Sequence, residues 1–80
     1  MVDAFGSKTT RLDVRAILQA GVEPFDQIME VVASLDDDED LLLVAPFEPV
    51  PLEALLSGQG FQYQTARIAD DHWEVRFSHV

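Results

Sequence analysis

Two carboxylates stand where they could do chemistry. Glu23 and Glu48 each precede a proline, Pro24 and Pro49, at what reads as a helix start. If both helices follow parallel strands, the two meet at the carboxyl edge of a sheet, where open α/β sheets bind ligands. A carboxylate pair there can work as acid and base if one member is desolvated, or can hold a cation. Each alone also has a structural reason, since the helix dipole favours a negative group by roughly 0.3–1 kcal/mol. Asp13 and Arg15, read as two residues apart on one strand face, could orient a partner or ligand at the same edge. The plain alternative for that pair is a surface ion pair worth under about 1 kcal/mol.

The remaining reactive side chains offer less. His72 and His79 fall on opposite faces of the last strand, so one metal cannot take both. His72 beside Asp70 and Asp71 reads as a turn histidine. The run "DDDED" has the charge of a calcium loop but lacks its glycine and its distant bidentate glutamate, and reads as a solvated turn. Phe61, Tyr63, Trp73 and Phe77 could stack on bases, yet a chain this small needs them as core. No Gly-rich phosphate loop and no Ser-His-Asp arrangement is present. Catalytic, cofactor-binding and metal-binding residues are therefore assigned to none.

The elements that must position these residues follow from periodicity. "TTRLDVR" alternates, with Leu12 and Val14 against Arg11, Asp13 and Arg15, which is a half-buried strand. "AILQAGVE" reads as a loop hinged at Gly21. "PFDQIMEVVASL" places Phe25, Ile28, Met29, Val32 and Leu35 on one helical face, with Pro24 in the first turn. "LLLVAPF" is an apolar run too short for a helix and reads as a buried central strand. "EPVPLEALLSGQG" gives a short helix with Leu52, Leu55 and Leu56 inward, ended at Gly58 or Gly60. "FQYQTARIA" and "HWEVRFSHV" alternate on either side of "DD", an antiparallel hairpin.

The order is β-α-β-α-β-β. It predicts a two-layer α/β sandwich (α+β), a four-stranded mixed sheet with two helices on one face. The hairpin's aromatic face is expected to meet Phe25, Met29 and Leu55. Residues 1–8 read as a flexible leader and residues 9–80 as one domain.

Bulk properties narrow the function classes. Eighty residues make one domain, with little room for an enclosed active site. A net charge of -10 disfavours nucleic acid, which needs a basic patch, and also an anionic membrane surface. The absence of cysteine excludes thiolate catalysis, persulfide carriage, cysteine–zinc sites and disulfides. No stretch has the length of a membrane span and no signal peptide is visible, so a cytoplasmic, soluble chain is expected.

Taken together, "LDVR", the first "EP", "LLLVAPFEPVPL", "GF" and "WEVRF" resemble, in order and spacing, the TusA-like or SirA-like group of small bacterial domains, and within it the DUF2249 branch. The resemblance spans roughly residues 11–78. The thiol-bearing relatives have a Cys-Pro-x-Pro segment at the first helix start. Matching the Glu-Pro pair puts Gly21 at the cysteine's place and Val22 at the first proline's. The resemblance thus implies the fold but not the sulfur relay.

The expected function is a non-catalytic protein-interaction or regulatory module on that scaffold, with no cofactor and another protein as partner. The alternative is a small-ligand or metal-binding domain with weak enzymatic activity, at the edge formed by Asp13, Arg15, Glu23 and Glu48. The expected face comprises Asp13, Arg15, Leu18, Gly21, Val22, Glu23, Phe47 and Glu48, where "RAILQAGVEP" meets "APFEPVP". Ile17, Leu18, Val22, Phe47 and Val50 are apolar residues in its loops, stiffened by Pro24, Pro46, Pro49 and Pro51. A monomeric or weakly associating chain is expected.

Overall fold

The computed structural model describes residues 8–80. Its elements are β1 (Lys8–Asp13), α1 (Arg15–Gln19), α2 (Phe25–Ser34), β2 (Glu39–Ala45), α3 (Val50–Ser57), β3 (Phe61–Ala69) and β4 (His72–His79). The expected leader lies outside the described residues except for Lys8, which opens β1. The four strands form one mixed sheet in the order β1-β2-β4-β3. β1 and β2 are parallel, while β4 is antiparallel to both β2 and β3. The fold is the predicted α+β sandwich with one extra helix.

Register explains which face is covered. Leu12 lies opposite Leu43, Leu41 opposite Phe77, and Leu43 opposite Val75, so these side chains share one face. Ile28 of α2 and Leu52 and Leu56 of α3 join Leu41, Leu43, Val75 and Phe77 in a single buried cluster. The other face is mostly polar, with Leu42 and the buried Val44 as its apolar members. There Arg76 donates to Asp40 at 3.0 Å and to Thr9 at 3.2 Å.

The extra helix is α1, in the segment expected to be a loop. Ala, Leu, Gln and Arg favour helix, but five residues are too few to show a period. Its end is a Schellman motif: Gly21 N–H donates to Leu18 and Val22 N–H to Ile17. That motif needs a left-handed residue, and Gly21 supplies it at φ 78°. Arg15 therefore opens α1 and is not on the strand face assigned to it. Ile17 and Leu18 are partly buried against the core and are not free loop residues.

The inward face of α3 also differs from expectation. Leu52, Glu53 and Leu56 are its buried residues, whereas Leu55 is partly exposed. The hairpin's core contribution is correspondingly smaller. Phe61 and Phe77 are buried, but Tyr63, Phe25 and Leu55 are exposed, so the expected aromatic contact with Phe25 and Leu55 is replaced by packing on Ile28, Leu52 and Leu56. The rest of β3 extends beyond the core. His72 begins β4 and faces Glu74 at 3.0 Å; it is not a turn residue.

Candidate functional site

The chain after β1 and the chain after β2 leave the same sheet edge, because the two strands are parallel and paired to their ends. Asp13 lies opposite Val44, and Val14 N–H donates to the Val44 carbonyl at 2.9 Å. A groove of about 450 Å³ opens there. Val14, Ile28, Leu43 and Ala45 form its floor. Glu23, Pro24 and Phe25 make one lip, and Phe47, Pro49, Pro51 and Leu55 make the other. Phe47 is 54% exposed and Phe25 44% exposed, so the rings border the opening without filling it.

A second depression of about 450 Å³ lies beside the groove, lined by Asp13, Arg15, Ala16, Leu18, Gln19, Pro46 and Asp71. The expected face is thus split in two. Asp13 and Arg15 belong to the second depression, Glu23 and Phe47 to the groove, and Leu18 borders both. Gly21, Val22 and Glu48 line neither. Val22 stands in solvent.

Asp13 and Arg15 are a tight local pair. Asp13 accepts from the Arg15 backbone N–H at 3.0 Å and from Nε and Nη2 at 3.0 and 2.8 Å. The Arg15 hydrogen bond brings the Asp13 carboxyl down to about 2, against the opposing effect of partial burial. A depressed carboxylate stabilises the fold above its unfolded pKa, and that stability is lost as pH falls toward 2. Since both side chains are about one-third exposed, solvent screening limits the effect. Asp13→Asn is expected to cost about 1 kcal/mol at pH 7 and to lessen acid sensitivity below pH 4, read by urea unfolding.

Glu23 also has a structural partner: its Oε1 accepts from the Phe25 N–H at 2.8 Å, satisfying a free donor in the first turn of α2. No group of three or more His, Cys, Asp or Glu residues among the described residues is placed to hold a metal. No helix among them is long and apolar enough to cross a membrane.

A family model described as "Uncharacterized conserved protein (DUF2249)" matches residues 11–79. The chain belongs to the DUF2249 family. No curated protein matches it, and no solved structure does.

In this DUF2249 domain the residue that sequence reasoning missed is Glu53. It is 2% exposed, and its Oε2 is buried with no hydrogen-bond partner among the described residues. Burial, and then Glu48 by hydrogen bonding and repulsion, pushes its carboxyl up to about 7. Glu48 thus matters through Glu53 and not through Glu23, its expected partner. The helical phase of "VPLEALLS" is ambiguous, because Glu53 and Leu55 flank the Leu52–Leu56 stripe on opposite sides. Nothing in the one-dimensional pattern separates them.

Proposed function

We propose that this domain is a non-catalytic protein-interaction module that receives an apolar, basic peptide segment in the groove between α2 and α3. One observation carries the reading: an open apolar groove bordered by exposed Phe25, Phe47 and Leu55. Clustered exposed apolar groups rimmed by polar ones are what docking sites present. Pro24, Pro49 and Pro51 stiffen both lips, which lowers the entropy lost on binding. Glu23 on one lip, and a chain of net charge -10, favour a segment that adds Lys or Arg to its apolar anchors.

The resemblance to the sulfur carriers supports the same conclusion. At the position where those relatives bear a thiol, Gly21 closes α1 by its backbone alone. On this reading the scaffold serves docking in place of sulfur transfer. The groove's volume also favours a second reading, a small apolar ligand, since such pockets span about 300–1,000 Å³.

Selection from a random peptide library separates the two. The docking reading expects peptides that share two apolar anchors and a basic residue, and whose affinity falls at least about tenfold (1.4 kcal/mol) on Phe47→Gln. Phe47 is exposed, so that variant should keep its fold. Peptides that bind Phe47→Gln unchanged, or no peptides alongside saturable binding of a small apolar dye, would overturn the docking reading.

A further inference from the structure

The open edge of β3 has no role in the groove. The strand order gives β3 one neighbour, β4, and leaves its other side unpaired. Eight of its nine residues are exposed, so nothing in the described chain covers that edge. Long uncovered edges are templates for strand pairing, and natural proteins usually blunt them with charge, proline or bulges. Over residues 61–67 β3 has no proline, no lysine and a regular register with β4; its irregularity lies beyond, between Arg67 and Ala69.

The backbone groups that face outward can be identified. Val80 N–H donates to the Gly60 carbonyl, which makes Gly60 and Val80 a hydrogen-bonded pair. Such pairs alternate in an antiparallel ladder. Gln62, Gln64 and Ala66 therefore spend their backbone groups on β4. Tyr63, Thr65 and Arg67 turn theirs to the open edge.

Charge selects the occupant. The chain has fifteen acidic residues, and β3 carries none of them. Its single charge is Arg67, already paired with Asp70. Two copies of a -10 chain repel over most approaches but meet here without opposed carboxylates. Thr65 is the midpoint of β3, and an antiparallel pairing centred on it sets Thr65 against its own copy and Tyr63 against Arg67. No like charges then face each other, and an aromatic ring lies within reach of a cation.

We propose that β3 is a self-association edge, through which two copies pair antiparallel about a two-fold axis at Thr65. The two four-stranded sheets become one, and both grooves stay open because they lie at β1 and β2. The contact is isologous, so it closes at the dimer.

Sedimentation velocity of the full chain over micromolar to millimolar concentration tests the proposal, with backbone amide exchange as the residue-level readout. The chain should convert reversibly from 8.9 kDa to twice that mass. Exchange at Tyr63, Thr65 and Arg67 should slow as the dimer forms. Added salt should strengthen it by screening the net charge. Thr65→Pro removes an outward N–H without touching β4 and should stay monomeric and folded. If Thr65→Pro does not fold, Thr65→Lys decides, because it keeps every backbone group and opposes two ammonium groups across the axis. A wild-type chain that remains monomeric at millimolar concentration overturns the proposal, as does a dimer that survives the folded variant or leaves these amides unprotected.

Discussion

Phe77→Ala is expected to remove most of the domain's stability. Phe77 is fully buried, opposite Leu41 on β2 and Tyr63 on β3, in the strand that joins the two halves of the sheet. Truncating a buried phenylalanine costs about 3–5 kcal/mol, part lost transfer energy and part cavity. A domain of 80 residues holds only about 4–12 kcal/mol in total. There is no disulfide to limit the unfolded state, since the chain has no cysteine. The variant should melt at least about 12 °C lower, at roughly 4–8 °C per kcal/mol for this size, and be partly unfolded at 37 °C. Calorimetry with urea titration measures it. A loss under about 1 kcal/mol would mean that β4 is not the centre of the core.

The core was largely legible in the sequence, for a physical reason. The hairpin strands carry a period of two over eight or nine residues, long enough to count, and both were read from the alternation around Asp70 and Asp71. The central strand announced itself as an apolar run stopped by Pro46. Helix α2 is ten residues long with a well-phased stripe. What escaped was short or depended on the third dimension. Five residues cannot display a helical period, so from sequence α1 reads as a loop and Arg15 as part of the strand. The exposure of β3 depends on how far the helices extend, which no pattern along β3 records.

The meeting of the two loops was legible too, because parallel pairing of β1 and β2 requires both to leave the same edge. Leu18, Glu23 and Phe47 do line one groove. The pairing of carboxylates was not legible. Two glutamates before prolines suggested Glu23 with Glu48, yet Glu23 caps its own helix through the Phe25 N–H and Glu48 instead faces Glu53. The phase of an eight-residue, mostly apolar helix decides which side chain turns inward, and the flanking strands settle that phase.

Glu53→Gln should stabilise the domain at pH 8 and do so much less at pH 5. The carboxyl titrates near 4.5 in the unfolded chain and about 7 in the folded one, raised first by burial and then by Glu48. Between those values the folded state binds the extra proton, so wild-type stability falls as pH rises through that window. Below it both states are protonated, and above it both are ionised with the full penalty present. One pKa unit is about 1.4 kcal/mol, so a rise from 4.5 to about 7 makes the penalty at pH 8 on the order of 3 kcal/mol. Partial movement of the loop that carries Glu48, letting water reach Glu53, would reduce it. Among the described residues no ion pair reaches Glu53: Lys8, Arg15, Arg67 and Arg76 pair with Asp36, Asp13, Asp70 and Asp40. Glutamine keeps the shape, cannot ionise and can donate to Glu48. Urea unfolding of both proteins at pH 5, 6, 7 and 8 gives the comparison, and the difference between them cancels the repulsion common to both from the remaining acidic groups. Parallel pH profiles would sink the assignment, because they would mean that Glu53 ionises with ordinary ease and that the Glu48 loop already gives way to water.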